Sequence, residues 1–249
     1  MPDDRELSAL YADYAAYSRK REIRNDFAAN LRREQRKSAM RQVRILLPML
    51  SRRDVLCDIG ASHGEFLSLV RKHVASTLAV EPGLQEQRSL ARRSLSFYSS
   101  VAECDGSSID VATLFHSIEH LNDPVSYLMA LRQKLRSRGR VVIETPNIDD
   151  ALLSLYQSGA FSDFYFRLEH CFYYNPRTMD EVFKRAGFRR MRIVPFQRYG
   201  LSHHLTWLAG KPGGDAVLEK LFKGIDLEYR NLLIRKGCSD TFMAVYRTA

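Results

Sequence analysis

Between residues 55 and 67 the chain reads Val-Leu-Cys-Asp-Ile-Gly-Ala-Ser-His-Gly-Glu-Phe-Leu. An apolar run closing on an acid, a bend of small residues and the start of an amphipathic pattern predict a buried strand, a tight turn and a helix. Such a unit aims backbone N–H groups and a helix N-terminus at a ligand lying across the strand end. Gly60 and Gly64 allow the turn and a close backbone approach, and Ala61 and Ser62 complete it. Asp58, at the strand's end, can accept hydrogen bonds from a cationic or hydroxyl-bearing ligand. A dinucleotide fingerprint needs G-x-G-x-x-G, and Ser62 and Glu65 occupy its second and third glycine positions, so a nicotinamide cofactor fits poorly.

A second strand is predicted over 77–80, ending at Glu81-Pro82-Gly83. Glu81 lies about 20 residues past the glycine turn, where an acid at the next strand's tip can take both hydroxyls of a ribose. Residues 95–98 read as a short third strand followed by Ser99 and Ser100. The near-continuous apolar run 110–115 suits the buried centre of a parallel sheet. Further strands are expected at 140–147, 191–196 and 241–246. Helices are expected at 84–94, at 124–135 with Gly139 as its stop signal, from Pro176 through Arg185 with Gly187 closing it, and at 216–236. From residue 3 to 47 there is no Gly or Pro. Phe27, Leu31, Met40, Val43 and Leu47 recur there at helical spacing, which predicts two covering helices.

The D-x-G-x-(G)-x-G pattern at Asp58–Gly64 and the acid Glu81 resemble the first two motifs of class I S-adenosylmethionine-dependent methyltransferases, with Ser62 in place of the family's middle glycine. His116-Ser117-Ile118-Glu119-His120-Leu121-Asn122-Asp123-Pro124 resembles the fourth-strand motif of the branch that includes the ubiquinone-biosynthesis O-methyltransferases. The segment Glu169-His170-Cys171-Phe172-Tyr173-Tyr174-Asn175-Pro176 is similar to the same branch, and residues 199–214 to its sugar- and polysaccharide-modifying members. The resemblance implies an α/β fold: a Rossmann-like, mostly parallel seven-stranded methyltransferase sheet, last strand antiparallel, with helices on both faces. Residues 1–50 would form an N-terminal helical cover, and 51–249 the methyltransferase domain. An acceptor-site insert at about 148–170 carries Phe161, Phe164, Tyr165 and Phe166, as a lid or as a core helix.

The implied cofactor is S-adenosylmethionine, held by Asp58, Gly60, Ala61, Ser62, Gly64, Glu81, Pro82, Ser100 and Phe115. An acceptor hydroxyl benefits from a base tuned near neutrality, to which histidine is suited. The catalytic candidates are His120 and His170, with Glu119 orienting and His116 nearby; Tyr173, His203 and His204 lie in segments able to converge. Tyr17 or one of Arg19, Lys20, Arg21 and Arg24 could also reach the ligands. No metal ligands are assigned, although His116, Glu119 and His120 offer an alternative set for a divalent ion. The H-x-x-E-H zinc-peptidase pattern requires a helix, whereas here it follows a strand directly.

The expected reaction is methyl transfer to a small-molecule or glycan acceptor, foremost O-methylation of a sugar hydroxyl, nucleotide-linked sugars included, in polysaccharide or nucleotide-sugar biosynthesis. The alternatives are an RNA or protein methyltransferase and a non-catalytic S-adenosylmethionine-binding protein. The first would be supported by an Asn-Pro-Pro-Tyr-like motif after strand four, which His116–Glu119 is not. A formal charge of +9 favours acidic partners, but the basic residues are spread along the chain, so nucleic acid is not the leading one. Cys57, Cys104, Cys171 and Cys238 form no C-x-x-C pair. With a polar N-terminus and no apolar run long enough to cross a bilayer, this predicts reduced thiols and a cytoplasmic location.

Overall fold

The described residues of this computed structural model are 25–211 and 213–249, with side chains from residue 33 onward. Helix α1 (Asn25–Leu46) leads into strand β1 (Val55–Ile59), followed by α2 (Glu65–Val70), β2 (Ser76–Val80), α3 (Leu84–Arg92) and β3 (Ser96–Tyr98). Next come β4 (Ile109–Phe115), α4 (Pro124–Lys134), β5 (Leu135–Pro146), α5 (Ala151–Ser154), α6 (Gly159–Tyr165) and α7 (Pro176–Arg185). The chain closes with β6 (Phe188–Phe196), α8 (Leu201–Leu208), α9 (Ala216–Phe222), α10 (Asp226–Arg235) and β7 (Thr241–Thr248). The strands form one seven-stranded sheet in the order β3-β2-β1-β4-β5-β7-β6. β1 pairs parallel with β2 and β4, and β2 with β3, whereas β7 runs antiparallel to both β5 and β6. The expected sheet and its antiparallel last strand are therefore present. No described helix is long and apolar enough to cross a membrane.

The chain divides into two units, one up to Thr113 together with Ala130–Gly139, the other comprising Leu114–Met129 and Arg140–Ala249. In the first, β1 is buried from Leu56 to Ile59 with no alternation, as in a strand covered on both faces. Strand order reverses beside β1, the place where open α/β sheets bind ligands. On α1 the buried residues are Ala39, Gln42, Val43 and Leu46, while Met40 and Leu47 are exposed, so the inward stripe is rotated by one residue from the expected one. Tyr17, Arg19, Lys20, Arg21 and Arg24 lie outside the described residues, as do the side chains of Phe27 and Leu31.

In the second unit α7 begins with a capping box: Asn175 accepts from the Thr178 N–H, and the Thr178 hydroxyl in turn accepts from the Asn175 N–H, with Pro176 in the first turn. Phe183 of α7 stacks on Tyr246 of β7 with ring centroids 3.7 Å apart. Two expectations need correction here and at the end of α4. Gly139 does not stop a helix: α4 ends at Lys134, and Gly139 lies within β5, where a Cβ would come 2.8 Å from the Arg136 carbonyl oxygen. The single helix expected over 216–236 is two. The Asp226 carboxylate accepts the Leu201 N–H at 3.0 Å, and a Cβ on Gly200 would lie only 2.3 Å from it. That tertiary anchor fixes Asp226 at the start of α10 and at the N-terminus of α8, where a negative charge is favourable.

The turn after β1 has three residues in the left-handed region: Gly60 (φ 74°), Ser62 (φ 48°) and Gly64 (φ 76°). Ser62 thus keeps the backbone conformation for which glycine is suited, at a cost of about 1 kcal/mol. A Cβ on Gly64 would lie 2.6 Å from a Leu95 methyl and 2.7 Å from a Leu90 methyl, and both leucines are buried. Gly64→Ala should therefore lower stability by about 2–4 kcal/mol in denaturant melts, combining the φ and overpacking penalties. Ser62→Gly should change it by less than about 1 kcal/mol, because relief of the φ penalty offsets the entropy of the added glycine.

Candidate active site

The first unit brings Asp58, Gly60, Ala61, Ser62, Gly64, Glu81 and Pro82 to the tips of β1 and β2. The parallel register pairs Asp58 with Ala79 and Ile59 with Val80, so Glu81 stands one residue beyond the last pair. Both Glu81 carboxylate oxygens accept backbone donors, Oε2 from the Ser62 N–H at 2.8 Å and Oε1 from the Gly83 N–H at 2.9 Å. Burial raises the Glu81 pKa, and those two N–H bonds oppose the rise. Asp58 is buried on β1, and its Oδ1 accepts the Thr113 hydroxyl at 2.6 Å. Burial pushes Asp58 up to about 7; the Thr113 bond works against this and the charge of Glu81 adds to it.

The turn's own N–H groups are used differently from expectation. Gly60 donates to the Val80 carbonyl, Gly64 to Ala61 and Ser62 to Glu81, so they tie the turn to β2 and to itself. One feature escaped the sequence. Gln87 donates to the Glu81 carbonyl at 2.7 Å and to Ser99 Oγ at 3.2 Å, joining α3 to the tips of β2 and β3. Ser100, expected among the cofactor contacts, donates to Glu103, which also accepts the Ser99 N–H. Two buried carboxylates, one steered by backbone donors and one by a hydroxyl, fit a ligand carrying a vicinal diol and an ammonium group.

The second unit holds Phe115, half-buried at the end of β4, and then the histidine–glutamate run. His116 has φ 52°, a strained left-handed conformation of the kind that persists where the surroundings hold it. Its Nε2 lies 3.1 Å from Glu144 and its Nδ1 3.4 Å from Glu119, both carboxylates buried. Burial by itself lowers the His116 pKa, but the two carboxylates outweigh it and hold the imidazole up to about 9. A ring protonated at neutral pH is a poor base, so the geometry gives His116 an orienting place.

A 3-10 turn at Ile118–His120 directs Glu119 inward. Glu119 Oε2 accepts the Thr145 hydroxyl at 3.0 Å. Burial tends to raise the Glu119 pKa, but His116 brings it below the ordinary value. The rings of His120 and His170 meet edge to face, 4.8 Å between centroids. His120 Nδ1 lies 2.9 Å from the Glu169 carbonyl; a carbonyl only accepts, so Nδ1 is the donor. His170 Nδ1 is buried without a hydrogen-bond partner among the described residues, and burial lowers the ring to about 4, so the imidazole is neutral at physiological pH.

Three of the candidate histidines thus gather around Glu119. Two do not: His203 stacks on Tyr199 at 4.1 Å and accepts from the Trp207 ring N–H, and His204 bridges Gln197 and the Tyr229 hydroxyl. The Tyr173 hydroxyl is engaged by the backbone of Tyr165 and Arg167. Of the insert's aromatics, Phe161 and Tyr165 are core, packed with Leu152 and Trp207, while Phe164 and Phe166 are exposed. The ion pair of exposed Arg198 with buried Asp240 had no sequence signal, because its members lie far apart along the chain.

A family described as a methyltransferase domain matches residues 31–191, more than half of the chain. No curated protein matches it in sequence. The fold is similar to a SAM-dependent methyltransferase from Archaeoglobus fulgidus, with TM-score 0.62 and 21% identity over 86% of this chain and 94% of that one. It is also similar to geranyl diphosphate C-methyltransferase from Streptomyces coelicolor, solved with Mg²⁺, geranyl diphosphate and S-adenosyl-L-homocysteine, with TM-score 0.57 and 15% identity over 84% of this chain and 80% of that one. The family match and the buried acid pair behind a left-handed turn lead to one assignment: the chain belongs to the methyltransferase-domain family, as a class I enzyme with S-adenosylmethionine as its cofactor.

Proposed function

We propose that this enzyme methylates an oxygen of a small-molecule or glycan acceptor, foremost a sugar hydroxyl, and that it stands near the ubiquinone O-methyltransferase and sugar-modifying branch of its family. The observation that carries the reading is the neutral His170 imidazole, its Nδ1 buried and without a partner among the described residues, beside His120 and Glu119. A neutral imidazole next to a carboxylate suits an acceptor that must lose a proton, as a hydroxyl must. The aromatic insert, with Phe164 and Phe166 exposed, offers ring faces to the apolar side of a sugar.

Bound S-adenosylmethionine supplies an already activated methyl group on a sulfonium. The protein's own contribution is alignment and exclusion of water. Glu81, steered by Ser62 and Gly83, would hold the ribose hydroxyls, and Asp58 the amino-acid ammonium; Gly60, Ala61, Gly64, Pro82, Ser100 and Phe115 are proposed to complete the contacts. Glu119 and His116 orient the pair of histidines.

Transfer of labelled methyl should be found with nucleotide-linked hexoses or oligosaccharides and not with RNA; labelling of RNA alone would contradict the reading. With an acceptor in hand, His120→Ala and His170→Ala should each lower kcat by about 100-fold or more. Their affinity for S-adenosylhomocysteine, measured by calorimetry, should stay within about threefold of the parent's. A third expectation follows from Asp58. An acid whose pKa is raised on folding disfavours its ionised form, so without ligand the fold loses stability as pH rises from about 4 to about 7. An ammonium ligand needs that ionised form, so S-adenosylhomocysteine binding should weaken roughly fivefold to tenfold between pH 7.5 and pH 6. Asp58→Asn should flatten both profiles.

A further inference from the structure

In the second unit Glu119 and His120 meet His170, which lies far along the chain. One carboxylate oxygen and one nitrogen from each ring all lie within 4.8 Å of one another. Two of the three groups are oriented by a second contact. Glu119 is fixed by the Thr145 hydroxyl on Oε2 and by His116 on Oε1, and a carboxylate retains further lone pairs beyond these two bonds. His120 gives its Nδ1–H to the Glu169 carbonyl, the outer contact that ligating histidines make, and would ligate through Nε2. Buried polar atoms are nearly always bonded, yet His170 Nδ1 has no partner among the described residues, which calls for an explanation at this site.

We infer that Glu119, His120 and His170 form a binding site for a divalent first-row transition cation, with further coordination positions open to water or an acceptor oxygen. The donor set decides the ion class. Two imidazoles and one carboxylate suit zinc or iron(II), whereas Mg²⁺ and Ca²⁺ take oxygen shells. The set differs from the one suggested by the H-x-x-E-H run, because His116 is bridged between Glu119 and Glu144 and acts on the ligand Glu119 from outside. The role of the ion rests on the methyl-transfer reading above. An acceptor hydroxyl in an open position gives up its proton to solvent water more readily than a free one. With the ion bound, ligation takes the place of the proton-accepting role given to His120 and His170 above.

The full chain, stripped of metal by dialysis against a chelator, is titrated with Zn²⁺ by calorimetry and with Co²⁺ by visible absorption. The expected result is one ion per chain, not displaced by equal Mg²⁺, and a cobalt spectrum without a thiolate charge-transfer band. That last feature separates the site from Cys171, whose Sγ lies 3.6 Å from the His120 carbonyl oxygen. His120→Ala and His170→Ala should each weaken Zn²⁺ binding by about 100-fold or more, since even outer contacts of metal ligands are worth up to about that factor. Thermal melts of the metal-free variants establish that they fold; if either does not, the parent's cobalt spectrum decides alone. Absence of stoichiometric Zn²⁺ and Co²⁺ binding by the parent, or binding that both substitutions leave unchanged, overturns the inference. S-adenosylhomocysteine binding measured alongside keeps the two claims apart: its loss counts against the methyl-transfer reading and leaves the cation site standing.

Discussion

The rest of the first unit's site depends on the burial of Glu81. A carboxylate taken out of water is costly unless donors replace the lost solvent. Here the replacements are the N–H groups of Ser62 and Gly83, one from the turn after β1 and one from the bend after β2. Pro82 lies between acid and second donor and has no N–H of its own, so the fold must reach to Gly83 and across to Ser62. The left-handed backbone at Gly60, Ser62 and Gly64 accompanies that reach. The same bonds that make Glu81 tolerable inside the protein also orient its oxygens, so stability and recognition share one set of contacts.

The second unit meets the same problem by another route. Glu119 and Glu144 are both buried, and one imidazole, His116, faces both. Like charges close together are tolerated only with a cation or a shared proton between them, and the elevated pKa of His116 supplies the cation. That arrangement removes His116 from proton abstraction and leaves His120 and His170 as the groups available for acceptor chemistry. The contrast between a charged and a neutral histidine beside the same carboxylate is set by surroundings and not by residue type.

Local patterns were the legible part of the chain. The strand–turn–helix around Gly60, the acid after β2, and α7 between the Asn175-Pro176 cap and Gly187 are each written in consecutive residues, and each formed as expected. What sequence reasoning missed depends on partners distant in the chain. The split of the 216–236 helix follows from Asp226 binding at Leu201. Gly139 resembled a helix stop but answers a close backbone approach inside β5. The pairing of Arg198 with Asp240 requires a chain crossing that no spacing rule encodes, whereas the grouping of His170 with Glu119 and His120 was named from the family resemblance and not from spacing. Ser62 is the intermediate case: its identity departs from the family's glycine, yet its φ does not.

The most direct measurement is calorimetric titration of the parent protein and of Glu81→Gln with S-adenosylhomocysteine at neutral pH. The account predicts saturable binding at one site per chain, weakened at least about tenfold by the substitution, the equivalent of losing one charge-assisted hydrogen bond. No binding by the parent, or equal affinity in both proteins, would contradict the place given to the buried acid at the tip of β2.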